Sequence, residues 1–114
     1  MIALGAFVRI VLDACVPQPL RAEIIGHEVF TSHYLGFDLL RDADLLNATE
    51  GNYDVLITCD RGIPWQNQFK GRSIAIVVLR APSNKLQDLE LLIPALLRVL
   101  PSLQPGEVCE IDRP

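Results

Sequence analysis

The feature that most constrains the fold is a nearly unbroken apolar run rich in β-branched residues. It covers residues 73–79, with the sequence SIAIVVL. The run is far too short for a membrane-spanning helix and is typical of a strand buried on both faces. Such strands occur in parallel sheets that are covered by helices on both sides. The run therefore predicts an α/β domain.

Four further segments complete the predicted sheet. Residues 7–12 and 54–58 are short β-rich apolar runs, residues 27–31 alternate in polarity, and residues 107–111 can form a last short strand. Turn-forming residues bound most of these segments, as expected between strands and helices. The pattern predicts a central, mostly parallel sheet of four to five strands.

Three predicted helices alternate with these strands. The first covers residues 17–25, the second begins at Asp42 or Asp44, and the third covers residues 85–100 and is kinked or restarted by Pro94. Alternation of this kind implies right-handed crossovers and helices on both faces of the sheet. We therefore expect a three-layer α/β fold.

Length and composition predict one domain over residues 1–114, of which residues 1–6 form an N-terminal extension. Half of the residues are apolar, and no signal peptide or membrane span is recognisable, so we expect a soluble cytoplasmic protein that contacts no membrane. The formal net charge of −4 argues against a passive nucleic-acid binder, since such proteins are usually basic. The charge does not argue against an enzyme that reaches phosphate through a metal ion.

Two aspartates directly follow two of the predicted strands. Asp13 comes after VRIVL, and Asp60 comes after DVLITC. In parallel sheets, ligands bind outside the carboxyl ends of the strands, so both carboxylates are expected at the same edge. Two close carboxylates favour a cation between them, and Mg²⁺ or Mn²⁺ prefers oxygen ligands. Asp44 is the predicted third ligand, and Asp42 is its nearby competitor.

A purely structural interpretation stays open for each acid. Asp13 can cap the helix predicted from residue 17, and Asp60 can hold the DRG turn that follows it. Asp44 can be a favourable charge at a helix start. The joint occurrence of Asp13 and Asp60 at two strand ends makes the ligand and the capping interpretations about equally strong.

Other residues near this predicted edge have two interpretations each. Cys15 and Cys59 lie beside the two aspartates and are either small buried apolar residues or nucleophiles. The three cysteines of the chain have wide spacings that do not suggest zinc, so we expect reduced thiols. Arg61 can meet a phosphate, and Trp65 can stack on a base or cover the edge of the core.

Several motifs together resemble a known family. The motifs are VLDACVPQPL, GHEVFT, DADLL, DVLITCDRGIPWQ and IAIVVLRA, and they span about residues 8–100. They resemble PIN-like proteins of a small family found beside bacterial toxin–antitoxin genes. The resemblance implies a three-layer PIN-like fold and Mg²⁺- or Mn²⁺-dependent ribonuclease activity. Carried over by position, the metal-binding and catalytic acids are Asp13, Asp44 and Asp60.

The resemblance also defines the competing functions. The first is a ribonuclease acting on single-stranded RNA, as the toxin component bound by an antitoxin protein. The second is a catalytically weak or inactive PIN-like module that binds a partner protein, since Gly62 stands where many relatives have a further Asp. The apolar excess of residues 85–100 adds the expectation of a homodimer. A response-regulator receiver ranks lower, because Asp13 has no acidic neighbour.

Overall fold

The computed structural model describes residues 7–62 and 72–112. Within these residues, all neighbouring strands of the central sheet run parallel. This arrangement confirms the predicted α/β class and the predicted sheet. The sheet has five strands, which are β1 (Arg9–Leu12), β2 (Glu28–Thr31), β3 (Val55–Thr58), β4 (Ala75–Arg80) and β5 (Val108–Asp112).

The helices are shorter than the sequence predicts. The helix predicted over residues 17–25 is a 3₁₀ helix. The restart predicted at Pro94 is confirmed, because Pro94 occupies the first turn of a new helix and the segment 85–100 is divided there. None of the helices in the described ranges is long and apolar enough to cross a membrane. The α-helices are α1 (Ser32–Leu35), α2 (Asp42–Thr49), α3 (Leu86–Glu90) and α4 (Ile93–Val99), and the 3₁₀ helices are Gln18–Glu23 and Leu100–Ser102.

The second α-helix, α2, has sequence signals at both ends. Asp42 and Asp44 lie in its first turn, where negative charge is favourable. Thr49 is its last residue, and Gly51 follows with a φ of +88°, a left-handed conformation that glycine adopts without strain. Leu46 is fully buried against the sheet and anchors the helix. The earlier of the two predicted start positions is therefore the observed one.

Helices cover both faces of the sheet, which gives three layers. On one face, Val11 and Leu56 pack in a cluster with Leu46 of α2. On the other face, Leu12 and Ile57 belong to a larger cluster that includes residues of α3, α4 and the 3₁₀ helices. Consecutive strand residues alternate between these two cores, as the pleat of a strand requires. Burial on both faces explains why the strands read as apolar runs.

The strand order is β2-β1-β3-β4-β5. From β1 the chain passes to β2 on one side and then returns to place β3 on the other side of β1. The carboxyl ends of β1 and β3 therefore form the topological switch point, where doubly wound sheets bind their ligands. Many unrelated functions share this architecture, so the function depends on the residues at that point.

The apolar excess of the last helical region is mostly explained inside the chain. Leu89, Leu92, Leu96 and Leu100 are fully buried in the larger core cluster. Leu91 is the large apolar residue of this region that is exposed, with 52% of its surface accessible. Because one exposed leucine does not make a dimer face, the homodimer stays a prediction without structural support from this region.

Candidate functional site

The two strand-end aspartates lie side by side at the switch point. The backbone N–H of Asp13 donates to the carbonyl oxygen of Ile57 at 2.8 Å, which extends the β1–β3 pairing by one residue. Asp60 lies two residues beyond the end of β3. The sequence prediction that both side chains reach the same edge of the sheet therefore agrees with the strand pairing.

Thr58, the last residue of β3, connects these two aspartates. Its side chain is fully buried. Its hydroxyl donates to Oδ2 of Asp13 at 2.7 Å and accepts the backbone N–H of Asp60 at 3.0 Å. The sequence pattern predicts Thr58 only as a strand residue. The signal that identifies it is a hydroxyl at the end of an apolar strand, next to the residues expected at the ligand edge.

Short backbone contacts orient both carboxylates further. Oδ1 of Asp13 accepts the N–H of Ala14 at 2.8 Å, and Oδ1 of Asp60 accepts the N–H of Gly62 at 2.8 Å. Asp13 does not cap the following 3₁₀ helix, whose N-cap Pro17 has no side-chain hydrogen bond. Asp60 does hold its turn, as the structural interpretation predicted. An ionised carboxylate has about four acceptor sites, so both side chains keep oxygen lone pairs for another partner.

The third acid near this pair is Asp42. Asp42 is half-buried, and it precedes the buried Leu45 and Leu46 by three and four positions, so all three share one helix face. Asp44 is exposed, and residues two positions apart on a helix do not face the same way. The resemblance implied Asp44, whereas the helix geometry favours its competitor Asp42. The spacing of the buried leucines in α2 is the sequence signal that favours Asp42 over Asp44.

Electrostatics agree with this assignment. Burial raises the pKa of the Asp42 carboxyl above its ordinary value, and the negative charges of Asp60 and Asp13 raise it further. Asp42 is therefore close enough to Asp60 and Asp13 for their charges to repel its own. A cation bound among them would relieve this repulsion.

The donor set is consistent with a hard divalent ion. Among residues 7–62 and 72–112, no three His, Cys, Asp or Glu side chains are arranged as a ready-made ion cluster. Mg²⁺ usually binds through one or two carboxylates and completes its shell with water and substrate phosphates. Asp13 and Asp60, with Asp42 nearby, provide oxygen ligands of this kind, and Thr58 holds the first of them in place.

Two cavities lie beside β2, and one of them includes Asp13. The smaller one has a volume of about 140 Å³ and includes Asp13, Ser32 and His33 in its lining. The larger one, of about 540 Å³, includes Arg21, Phe30 and Tyr34. Gln18 and Thr31 line both cavities, so the two cavities adjoin each other.

The predicted phosphate- and base-binding residues have different outcomes. Arg61 is exposed directly beside Asp60. Trp65 lies outside the described residues. Arg72, which the sequence places in the same basic stretch as Arg61, precedes β4 and so lies at the opposite edge of the sheet, where its guanidinium bonds to Asn47 and Glu50. Arg72 therefore does not contribute positive charge to this site.

Cys15 and Cys59 are in contact behind the carboxylates. The backbone N–H of Cys59 donates to Sγ of Cys15 at 3.2 Å, and the Thr58 hydroxyl lies 3.5 Å from the same sulfur. Hydrogen bonding from the Cys59 side chain, helped by Thr58 and the Cys59 backbone, lowers the pKa of Cys15 to about 7. The same interaction raises the pKa of Cys59. Both side chains are half-buried and pack against the larger core cluster, as small apolar residues do.

Comparisons with known proteins do not add a family. No family model matches the chain, and no curated protein or solved structure does so either. The PIN-like resemblance therefore remains a hypothesis that depends on the sequence motifs alone.

Proposed function

We propose that this protein is a divalent-metal-dependent ribonuclease of PIN-like type. The observation that carries the proposal is the convergence of Asp13 and Asp60 at the switch point, with Asp42 near enough for their charges to raise its pKa. Hard oxygen ligands at the carboxyl edge of a parallel sheet suit an ion that acts on a phosphodiester. On this proposal, the fold is PIN-like and the protein acts in the cytoplasm.

Mg²⁺ or Mn²⁺ would be held by Asp13, Asp60 and Asp42. When bound, such an ion supplies Lewis-acid polarisation of the phosphodiester and activation of water. The protein residues contribute the orientation of the ligands. The Thr58 hydroxyl and the Ala14 N–H hold the two oxygens of Asp13, and ligand-orienting contacts of this kind commonly raise metal affinity.

Single-stranded RNA is the proposed substrate. The larger cavity, which adjoins the one at Asp13, is lined by the stacked rings of Phe30 and Tyr34, with centroids 6.4 Å apart, and Tyr34 is 77% exposed. Exposed aromatic rings offer stacking surfaces for bases, and Arg21 in the same cavity offers a positive charge for the backbone. Arg61, beside Asp60, is the second basic residue near the reacting phosphate. The acidic net charge is compatible with this mode, because the ion provides the main attraction for phosphate.

The biological role that follows is that of a toxin held inactive by an antitoxin protein. The support for this role is the resemblance of the sequence motifs to proteins encoded beside toxin–antitoxin genes. An antitoxin of this kind would act by covering the two adjoining cavities or the acidic edge, by which we mean the part of the sheet edge that carries Asp13, Asp60 and Asp42.

Calorimetric titration with Mn²⁺ tests the metal site. The wild type is expected to bind, whereas Asp13→Asn and Asp42→Asn each lose at least about tenfold in affinity, because each removes one carboxylate. Asp44→Asn is the matched control, since it removes the same charge from the same helix turn on another face. Equal loss in Asp42→Asn and Asp44→Asn would show a general charge effect and refute the assignment.

Cleavage of a fluorescent single-stranded RNA with Mn²⁺ tests the activity. The wild type and Asp44→Asn are expected to cleave, and Asp60→Ala is expected to lose cleavage. Cleavage that persists in Asp60→Ala would refute Asp60 as a catalytic residue. Ion binding by the wild type without cleavage of any RNA would contradict the ribonuclease.

A second candidate function is a non-catalytic PIN-like module that binds a protein partner. It is favoured by Gly62, which supplies an N–H to Asp60 where many PIN-like relatives have another acid. Leu39, near the acidic edge, is 93% exposed and is suited to a protein contact. RNA cleavage that depends on Asp60 would exclude this candidate.

A further inference from the structure

Cys15 and Cys59 form a second chemical centre, which the proposed function does not use. We call these two residues the strand-end dithiol, because each follows the carboxyl end of one of two paired strands. The sulfur of Cys15 lies 3.2 Å from the backbone nitrogen of Cys59. Since an N–Cα bond is about 1.5 Å long, this sulfur lies within about 4.7 Å of the Cys59 Cα. The Cys59 side chain therefore begins within reach of the Cys15 sulfur.

The surroundings keep the two side chains in this relation. The pairing of β1 with β3 fixes the backbone on both sides, and the Thr58 hydroxyl contacts the Cys15 sulfur at 3.5 Å. Both cysteines pack against the same apolar cluster and are half-buried, so a small molecule can reach them. The third cysteine, Cys109, is on β5, which is separated from β1 by β3 and β4. At about 4.8 Å per strand, Cys109 is too distant to pair with Cys15.

We infer that the strand-end dithiol is a reversible redox site that forms an intramolecular disulfide with low-molecular-weight disulfides such as oxidised glutathione. In the first step, the Cys15 sulfur attacks one sulfur of the reagent, forms a mixed disulfide and releases one thiol. In the second step, the Cys59 sulfur attacks the Cys15 sulfur and releases the second thiol. Two protein thiols are oxidised, and their two hydrogens and two electrons pass to the two released thiols.

The consequence is local to the carboxylate edge. Before oxidation, the Cys15 sulfur also lies 3.7 Å from Oδ2 of Asp13, the oxygen that Thr58 binds. The disulfide removes both thiol protons and fixes Cys15 to Cys59, so the support beneath Asp13 changes with the redox state. This chemistry goes beyond the proposed function and does not depend on it, because the Cys15 sulfur contacts the Cys59 backbone whether or not the carboxylates hold an ion.

The test uses the full chain with Cys109→Ser, which leaves only the dithiol. The protein is equilibrated in mixtures of reduced and oxidised glutathione, quenched with acid and analysed by mass spectrometry. The expected product has lost two hydrogen atoms, carries no glutathione and yields one peptide pair linked through Cys15 and Cys59. The equilibrium constant for its formation in buffer is expected to exceed that in concentrated urea by at least about tenfold, because the fold holds the sulfurs together.

The matched control is the double variant Cys15→Ser with Cys109→Ser, which can form only a mixed disulfide with glutathione. Mixed adducts or intermolecular dimers in place of the intramolecular bond would overturn the inference. So would an equilibrium constant that exceeds the value in urea by less than tenfold. If Cys109→Ser does not fold, peptide mapping of the oxidised wild type gives the same decision, since a Cys15–Cys59 peptide pair is expected and its absence overturns the inference.

Discussion

Thr58→Val removes the hydroxyl that joins the two strand-end aspartates and leaves the shape of the side chain nearly unchanged. In the wild type, this buried hydroxyl donates to Asp13 at 2.7 Å and accepts the backbone N–H of Asp60 at 3.0 Å. In the variant, Oδ2 of Asp13 loses the hydroxyl that donates to it, and the backbone N–H of Asp60 loses the oxygen that accepts from it. We therefore expect the folded state to be less stable.

The magnitude follows from the two contacts. The hydrogen bond to the charged Asp13 contributes about 1.5–3 kcal/mol and the bond from the Asp60 N–H about 1 kcal/mol, while the added buried methyl group offsets up to about 0.8 kcal/mol. The free energy of unfolding should therefore fall by about 2 kcal/mol. With a urea dependence of about 2 kcal/mol per molar, the unfolding midpoint should fall by about 1 M. Thr58→Ser keeps the hydroxyl and loses one buried methyl group, so we expect about 1 kcal/mol of destabilisation from packing alone.

A double-mutant cycle separates the hydrogen bond from packing. Urea unfolding of Asp13→Ala, Thr58→Val and the double variant should give a coupling energy of about 1.5–3 kcal/mol. The cycle with Thr58→Ser should give a coupling near zero, because the serine hydroxyl still donates in the Asp13 background. A coupling energy below about 0.5 kcal/mol in the cycle with Thr58→Val is within the range seen for residues that do not interact. That result would refute the Thr58–Asp13 hydrogen bond as a contributor to the site.

Three further predictions concern other parts of the fold. Hydrogen bonding from the Ser73 backbone N–H holds the pKa of Glu50 below its ordinary 4.5, so the wild type should exceed Glu50→Gln in stability by about 1 kcal/mol above pH 5. In urea unfolding, that difference in stability should vanish as the pH falls through the pKa of Glu50 in the folded state. A difference that stays constant with pH would contradict the link between Glu50 ionisation and stability. Gly51→Ala should lower the free energy of unfolding by about 1 kcal/mol, because alanine is strained at the left-handed φ of this position. Gly106→Ala should lower it by about 3 kcal/mol, because the φ is also left-handed and the new Cβ would lie 2.7 Å from the Arg72 carbonyl oxygen. Equal unfolding free energies for the two variants would contradict this clash. Oxidation of the strand-end dithiol closes a loop between residues 44 positions apart, so it should stabilise the folded chain by up to about 4 kcal/mol. Calorimetry should then show a rise in Tm of up to about 15 °C, and an unchanged Tm would argue against a strain-free cross-link.

The sheet could be predicted from the sequence because buried parallel strands must be apolar on both faces. The run at residues 73–79 covers all of β4 except its last residue, Arg80, and the shorter run at 54–58 contains β3. The ends of such runs are also visible in the sequence, since a polar residue must follow where the strand leaves the core. Asp13 and Asp60 were therefore found by the same physical rule that located the strands.

The details of the candidate site depend on packing that local sequence encodes weakly. Asp42 and Asp44 are both suitable first-turn residues, and only the direction of the buried leucines distinguishes the helix face that meets the sheet. The contacts of Thr58 and Cys15 require the register between β1 and β3, whose residues are far apart in the chain. Register is fixed by tertiary packing, so neither contact could be read from the sequence.

The parallel order of the strands also affects how this protein folds. Asp13 and Thr58 are 45 positions apart, and among the five strands of the described residues none pairs with its neighbour through a tight hairpin. Loop closure over such distances slows folding relative to a helical bundle of the same length. The acidic edge forms only when β1 has paired with β3. An ion that binds there would act on the native state alone, so the divalent-cation concentration would become a determinant of how much of the chain is folded.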